Sequence, residues 1–515
     1  MSATLISLQT DDAQWVNRGE SIIVGKDILE ILSSAMYVDP LAIYREYVQN
    51  SADAIDEARQ TGVLRSNEVG AVAIELDISN RVAKIRDNGT GIPASQFETQ
   101  MTAFGASAKR GRNARGFRGV GRLSGLAYCQ ELLFRSRFAG EPSVSELRWD
   151  CRKTKALLSS ADFAGDLAAV VSQSVQVRQV DGRKWPEHFF EVELRGITRL
   201  RSDCLLNPEV IEEYLSQVAP LPFDPRFRFG EDITEWLQER VGLGSLSLIM
   251  PGKGKPTFRP HRNSFDVSSG TDTFQELQKI DIPGTNGGIA AVGWILHHGY
   301  KGAVPEAMLK GLRLRSGDIQ IGTSGILEDL FTETRFNSWC VGEVHVIDGR
   351  IVPNGRRDHF EQNVHFSNLI NHLSPIAREI SNRCRTSSMK RNWLRQFELQ
   401  QSGIADKISA IKQGSLTRIQ RKQMEMDIAQ AIGAMHRIAG KEALRSEAKT
   451  SLVPVLKKVE RRVKMLRGRH YVAKPLAALP ASKRAAYKHV LSLVYECSPN
   501  RSVAKSLVDK MLSRL

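Results

Sequence analysis

Glu46-Tyr47-Val48-Gln49-Asn50-Ser51-Ala52-Asp53 is the stretch on which the fold of this 515-residue chain turns. It lies within Leu41 to Arg59, where Leu41, Tyr44, Val48, Ala52 and Ile55 recur at three- and four-residue intervals and predict a helix. On that helix Glu46, Asn50 and Asp53 stand at i, i+4 and i+7, so they share a face. A carboxylate, an amide and a second carboxylate in line suit a magnesium-bound nucleotide. Asn50 can give an oxygen to the metal, and Glu46 can take a proton from an attacking water. Taken alone, the same pattern also describes a polar stripe on a surface helix.

Working outward, Val72 to Ile78 and Val82 to Asp87 alternate apolar and polar residues across a Ser79-Asn80 turn, which predicts a hairpin. The second strand ends in Arg86-Asp87-Asn88-Gly89-Thr90-Gly91-Ile92. An aspartate at a buried strand end can accept a hydrogen bond from an exocyclic amine such as adenine's, and glycines allow the sharp turn. By itself that stretch is also an ordinary Asp-Asn-Gly turn. Gly116-Phe117-Arg118-Gly119-Val120-Gly121-Arg122-Leu123-Ser124-Gly125 then brings closely spaced glycines before a helical run. Such a loop lets backbone amides approach phosphates, although a lone glycine pattern also fits a mobile loop. The order and spacing of all three together favour a nucleotide pocket. His188 to Ile197 alternates again and is expected to close the sheet.

These clusters, in this order, resemble the GHKL (Bergerat-fold) superfamily of DNA gyrase, heat-shock protein 90 and its bacterial form HtpG, histidine kinases and MutL, with MORC proteins nearby. The resemblance implies an N-terminal sandwich of a mixed sheet and helices with ATP and magnesium between them. It implies Glu46 as general base, Asn50 as magnesium ligand and Asp53 beside the nucleotide. It makes Asp87 the adenine-reading aspartate, with Gly89 and Gly91 next to the base. Gly116, Gly119, Val120 and Gly121 become the phosphate loop, and Phe104 to Arg115, with Lys109, the lid. The family's Gly-Thr pair at the start of the late strand has no counterpart in Phe189-Phe190-Glu191-Val192-Glu193-Leu194. Further on, Pro353-Asn354-Gly355-Arg356-Arg357-Asp358-His359-Phe360-Glu361-Gln362-Asn363 is similar to the heat-shock protein 90 segment whose arginine reaches the γ-phosphate. Arg357 takes that place, with Arg356 beside it where the family has serine. A permanently charged, fork-shaped guanidinium suits the role, while two surface arginines in a loop are the plainer alternative.

The length calls for more than one core. Ser245 to Met250, Ile289 to His297, Leu312 to Ile321 and Val341 to Ile347 read as strands of a second, α/β middle region. From about Phe366 the pattern turns helical. The organisation expected is α+β: a GHKL domain over 1–200, a middle domain over 201–365 and a basic helical, coiled-coil-like region over 366–515. In that last region Leu452, Leu456, Val459, Val463 and Leu466 form an apolar seam among Lys457, Lys458, Arg461, Arg462 and Lys464. A helical hairpin is expected over about Ala481 to Leu515.

Charge sets the C-terminal region apart. The chain carries a formal +15, yet from Ser381 onward 29 Lys and Arg face nine Asp and Glu, a net of about +20, so the rest is about −5. The six cysteines form no CxxC pair, no apolar stretch is long enough to span a bilayer, and the N-terminus has no signal-peptide pattern, so a cytoplasmic protein is expected. The expected activity is slow ATP hydrolysis driving an HtpG-like homodimeric clamp on a protein client. The alternative is a MORC- or MutL-like clamp on DNA, gripped by the basic helices. A histidine kinase is disfavoured, because the stretch before the Glu46 helix contains no His. A topoisomerase is disfavoured for lack of a cleavage domain.

Overall fold

The computed structural model describes residues 25–26, 39–65, 67–103, 121–160, 162–200, 202–243, 246–466 and 468–515. The chain divides into two compact units, 1–298 with 302–378, and 299–301 with 379–515.

The first unit is α+β and begins, as described, with helix α1 (Ala42–Gln60). Its apolar stripe of Ile43, Tyr44, Tyr47, Val48, Ala52, Ile55 and Ala58 is buried, which is why the helix forms without a side-chain cap at its start. Strands β1 (Ala71–Asp77) and β2 (Val82–Asp87) form the expected antiparallel hairpin, with Ile74 opposite Ile85. Helix α2 (Ala94–Thr102) follows, then β3 (Glu131–Arg137), β4 (Ser143–Asp150), α3 (Cys151–Ser159), α4 (Leu167–Ser174), β5 (Val175–Asp181) and β6 (Phe189–Arg195). Asp150 and Asp166 cap α3 and α4 by accepting from the amides of Lys153 and Ala169.

Helices α5 (Pro208–Val218) and α6 (Gly230–Val241) lead to β7 (Ser247–Ile249) and β8 (Pro256–Thr257), and one eight-stranded sheet runs β5-β4-β3-β6-β2-β1-β7-β8. Two expectations are corrected here. The His188 to Ile197 segment does not close the sheet: β6 lies inside it, hydrogen-bonded to β2 on one side and β3 on the other. The Ser245 to Met250 segment does not join the later strands. It pairs parallel to β1, and Leu246, Leu248 and Met250 bury themselves in the core beneath α1. A row of apolar side chains finds its deepest burial there, and sequence distance does not prevent it.

The two faces of this sheet differ. One carries Val72, Ile74, Ala83, Ile85, Leu132, Phe134, Val192 and Leu194 against the helices. The other carries a charged cluster in which Arg135 bonds Glu146 at 2.7 Å and Glu191 at 2.6 Å and also meets Glu193.

A second sheet in the same unit runs β11 (Glu276–Pro283), β12 (Ile289–His297), β15 (Val341–Val346), β13 (Gly311–Ser316), β14 (Ile319–Ile321). A small hairpin, β9 (Ser264–Val267) and β10 (Gly270–Thr273), precedes it. The expected Leu312 to Ile321 strand is two strands, because Gly317 adopts φ +59° and turns the chain between them.

Helix α7 (Val364–Gln413) carries the chain into the second unit. There α8 (Arg418–Ala439) starts with a capping box in which Thr417 and Gln420 satisfy each other's amides. Helices α9 (Val453–Lys464), α10 (Ala481–Cys497) and α11 (Arg501–Leu512) follow, the last two being the expected hairpin. The seam Leu452, Leu456, Val459 and Leu466 is buried within the chain, against Met424, Ile428, Met435 and Ile438 of α8. Among the described residues no helix is long and apolar enough to cross a membrane.

Candidate functional site

Two tyrosines fix α1 in place. Tyr44 Oη donates to the Leu205 carbonyl at 2.6 Å. Tyr47 Oη donates to the Arg122 carbonyl at 3.2 Å and accepts from the Gly125 amide at 3.0 Å. Burial pushes both phenols well above their ordinary range, so they remain neutral donors. The 3-10 turn Gly121–Ala127 is thereby clamped onto α1.

That clamp sets Gly121 directly against Glu46. A Cβ on Gly121 would overlap the Glu46 carboxylate, so a larger residue there would push that carboxylate aside. Glu46 is 4 % exposed. Arg45 Nη2 lies 3.3 Å and Arg357 Nε 3.4 Å from its Oε1. Arg357 therefore reaches Glu46 across 311 positions of sequence. Its backbone sits at φ +56°, its carbonyl accepts from the Gly322 amide at 2.9 Å, and its amide donates to the Asn354 carbonyl at 3.1 Å. Its Nη1 donates to Gln49 Oε1. Arg356, the neighbour that could have competed, is exposed.

Asp87 ends β2 and is 3 % exposed, with its Oδ1 accepting from the Gly89 amide at 2.9 Å. Gly89 packs so closely on α1 that a Cβ there would meet the Ala54 carbonyl carbon at 2.8 Å. Gly91 takes φ +70°, and a Cβ would collide with the Arg137 carbonyl. Asn88 has a structural task, accepting from the Ala71 amide at 2.7 Å and donating to the Val69 carbonyl at 2.9 Å. In the sheet, Phe190 stands opposite Asp87, so the late strand presents an apolar ring there and no hydroxyl.

Asn50 and Asp53 are half-buried on the Glu46 face of α1. The predicted site residues Lys109, Gly116, Gly119 and Val120, with the whole lid from Phe104 to Arg115, lie outside the described residues. The lid's flanks are described: Arg122 donates from Nη2 to the Ala103 carbonyl, and burial pulls its guanidinium down to about 10.

Three participants escaped sequence reasoning. Gln49 is 1 % exposed and holds Arg357, while its Nε2 has no hydrogen-bond partner among the described residues. His188 Nδ1 meets the Gly89 carbonyl at 2.8 Å. Ser136 Oγ accepts from the Ile92 amide at 2.7 Å. Gln49 lies inside the decisive motif, one position before Asn50. The resemblance brought Arg357 towards the phosphates, and nothing in the sequence said that Gln49 would be the residue it meets.

Known proteins resemble this region. Residues 42–174 match the family model described as histidine kinase-, DNA gyrase B-, and HSP90-like ATPase. Chaperone protein HtpG of Acinetobacter baylyi is 27 % identical over 139 residues, covering 24 % of this chain and 22 % of that protein. HtpG of Polaromonas naphthalenivorans is 24 % identical over 139 residues, with the same shares. HtpG of Geobacter metallireducens is 22 % identical over 211 residues, or 38 % of this chain and 32 % of its own length. The chain thus spans between about a fifth and a third of these curated relatives. The resemblance to the GHKL superfamily, with HtpG nearby, holds over the segment that carries the three motifs.

Proposed function

We propose that the chain binds magnesium-ATP beside α1 and hydrolyses it slowly as an HtpG-like conformational clamp, working as a homodimer on a protein client. The observation that carries this reading is the meeting of Glu46, Gly121 and Arg357 at one buried point. A surface polar stripe would have no reason to gather a glycine turn and a distant arginine.

The roles follow from chemistry. Asp87, buried and acceptor-only when ionised, reads the adenine amine. Asn50 offers an oxygen to magnesium, an ion that takes one or two protein ligands and fills its shell with phosphate oxygens and water. Bound magnesium supplies the charge that offsets the crowded phosphates. Glu46 accepts the proton of the attacking water. Arg357 stabilises the charge that develops on the transferred phosphoryl group. In the arrangement seen, Arg357 lies against Glu46, so a phosphate that draws Arg357 away also releases the base. That exchange ties hydrolysis to the position of the Asn354–His359 loop, which is what a conformational clamp requires.

The test compares Glu46→Ala with Asp87→Asn. Glu46→Ala should lose at least about a hundredfold in hydrolysis while still binding ATP in calorimetry. Asp87→Asn should lose binding itself. Normal turnover by Glu46→Ala would remove the base assignment. A wild-type protein that ignores millimolar adenine nucleotide would remove the whole reading.

A further inference from the structure

The second unit carries a charged surface that the ATP site does not use. On α9 the buried positions Leu456 and Val459 and the half-buried Val455 and Val463 occupy one side. Lys457, Lys458, Arg461, Arg462 and Lys464 are all exposed. At 100° per residue these five fill an arc of about 160° opposite the apolar side. Among the described residues no carboxylate pairs with any of them, and the helix's own acid, Glu460, is taken by His436 at 2.8 Å. Five like charges held unpaired on one rigid face repel each other, a cost that an anionic partner reverses.

From this surface we infer that α9 is a docking face for the phosphodiester backbone of a double-stranded nucleic acid, bound without regard to sequence. Lys457, Arg461 and Lys464 form a line about 10 Å long at 1.5 Å rise per residue. A duplex strand places one phosphate about every 3.4 Å along its axis, so such a line can neutralise two or three at once. Single strands are gripped by aromatic platforms as well as charge, and the exposed arc of α9 contains no aromatic residue. An amphipathic helix that inserts into a bilayer needs an apolar face, and that of α9 is already spent in the helical core. Phosphate oxygens take most protein–nucleic acid hydrogen bonds and attract cations at any sequence, so a face of Lys and Arg alone, with no Asn or Gln beside them, is matched to the backbone. This inference rests on the second unit and is independent of the nucleotide reading.

The experiment measures binding of the full chain to a labelled duplex of about 30 base pairs by anisotropy, between about 50 and 200 mM salt. Matched DNA and RNA duplexes tell which backbone is preferred. Wild type should bind with a steep salt slope. Lys457→Gln, Arg461→Gln and Lys464→Gln together should take up to about 2.7 from that slope, about 0.9 per phosphate contact, and weaken binding at least tenfold at the lower salt. These side chains are exposed, so the thermal melt should stay in place. The control Lys184→Gln, Lys255→Gln and Arg262→Gln removes the same charge from exposed positions elsewhere and should leave binding alone. The inference is overturned if wild type fails to bind a duplex, or if the control loses as much as the α9 variant. It is equally overturned if a single strand, polyglutamate or phosphatidylserine vesicles bind more tightly than the duplex.

Discussion

Gln49 shows how much a single side chain can decide in this site. It is buried, its Oε1 receives a hydrogen bond from Arg357, and its Nε2 is unpaired among the described residues. A charge-assisted hydrogen bond contributes about 1.5–3 kcal/mol, and about 1.4 kcal/mol is a factor of ten in rate. Gln49→Leu keeps the volume but removes the acceptor, so turnover should fall by about tenfold or more while ATP affinity holds. If Gln49 acts by positioning Arg357, the penalty should largely vanish in an Arg357→Ala background, a double-mutant cycle that a merely structural role would not close. Equal losses in both backgrounds would show that Gln49 supports the helix and not the arginine. The shared face of Glu46 and Asn50 and the strand-end place of Asp87 were legible from sequence, because helix and strand periodicities fix them. Gln49 was not, since its importance depends on a loop more than 300 positions away.

At the scale of the element, β15 is the central strand of the five-stranded sheet and carries a buried charge. Glu343 is 1 % exposed, between Arg259 Nη1 at 2.7 Å and Arg315 Nη2 at 2.6 Å. Burial alone would raise this carboxyl, but Arg315 and Arg259 outweigh it and hold Glu343 well below the usual range. The pairing joins β15 to β13 and to the loop after β8, so three segments share one electrostatic centre. Glu343→Ala would leave two guanidinium groups buried without their acid, and should cost about 3–5 kcal/mol. Urea denaturation followed by circular dichroism checks this, and an unchanged midpoint would mean that water replaces the acid at no cost. The alternating apolar strands around this centre could be read from sequence. The pairing of β7 with β1 could not, because a three-residue parallel contact between positions 71–73 and 247–249 leaves no local pattern. Likewise the α9 seam reads as a coiled-coil edge, and only the fold shows that α8 covers it.

At the scale of the whole molecule, two buried histidines of the first unit, His261 and His345, make its stability depend on pH in a defined window. His261 sits among Phe223, Phe227 and Trp294, with ring centroids 5.1, 5.7 and 5.2 Å away. Burial pulls it down to about 3; Glu343 opposes that shift, and Arg259, Arg315 and Arg313 reinforce it. His345 is lowered too, again chiefly by burial. Below the ordinary histidine value of about 6.5, the unfolded chain takes up a proton that folded His261 refuses. Stability therefore falls as pH drops from about 6.5 towards 3, and is unaffected above that window. At pH 5 the loss from His261 alone is about 2 kcal/mol. The depressed carboxylates act lower down. Glu343, Glu146 and Glu193 contribute in full above the ordinary carboxylate value of about 4.3 and lose their contribution as pH falls through their folded values, so pH 5 isolates the histidine effect. His261 Nδ1 has no hydrogen-bond partner among the described residues, so a phenyl ring can take its place among the aromatics without stranding an acceptor. His261→Phe should accordingly match wild type near pH 7.5 and exceed it by about 2 kcal/mol at pH 5, measured as denaturation midpoints at both pH values. Parallel pH curves for the two proteins would mean that His261 is protonated in the folded state, and that the aromatic pocket around it admits water.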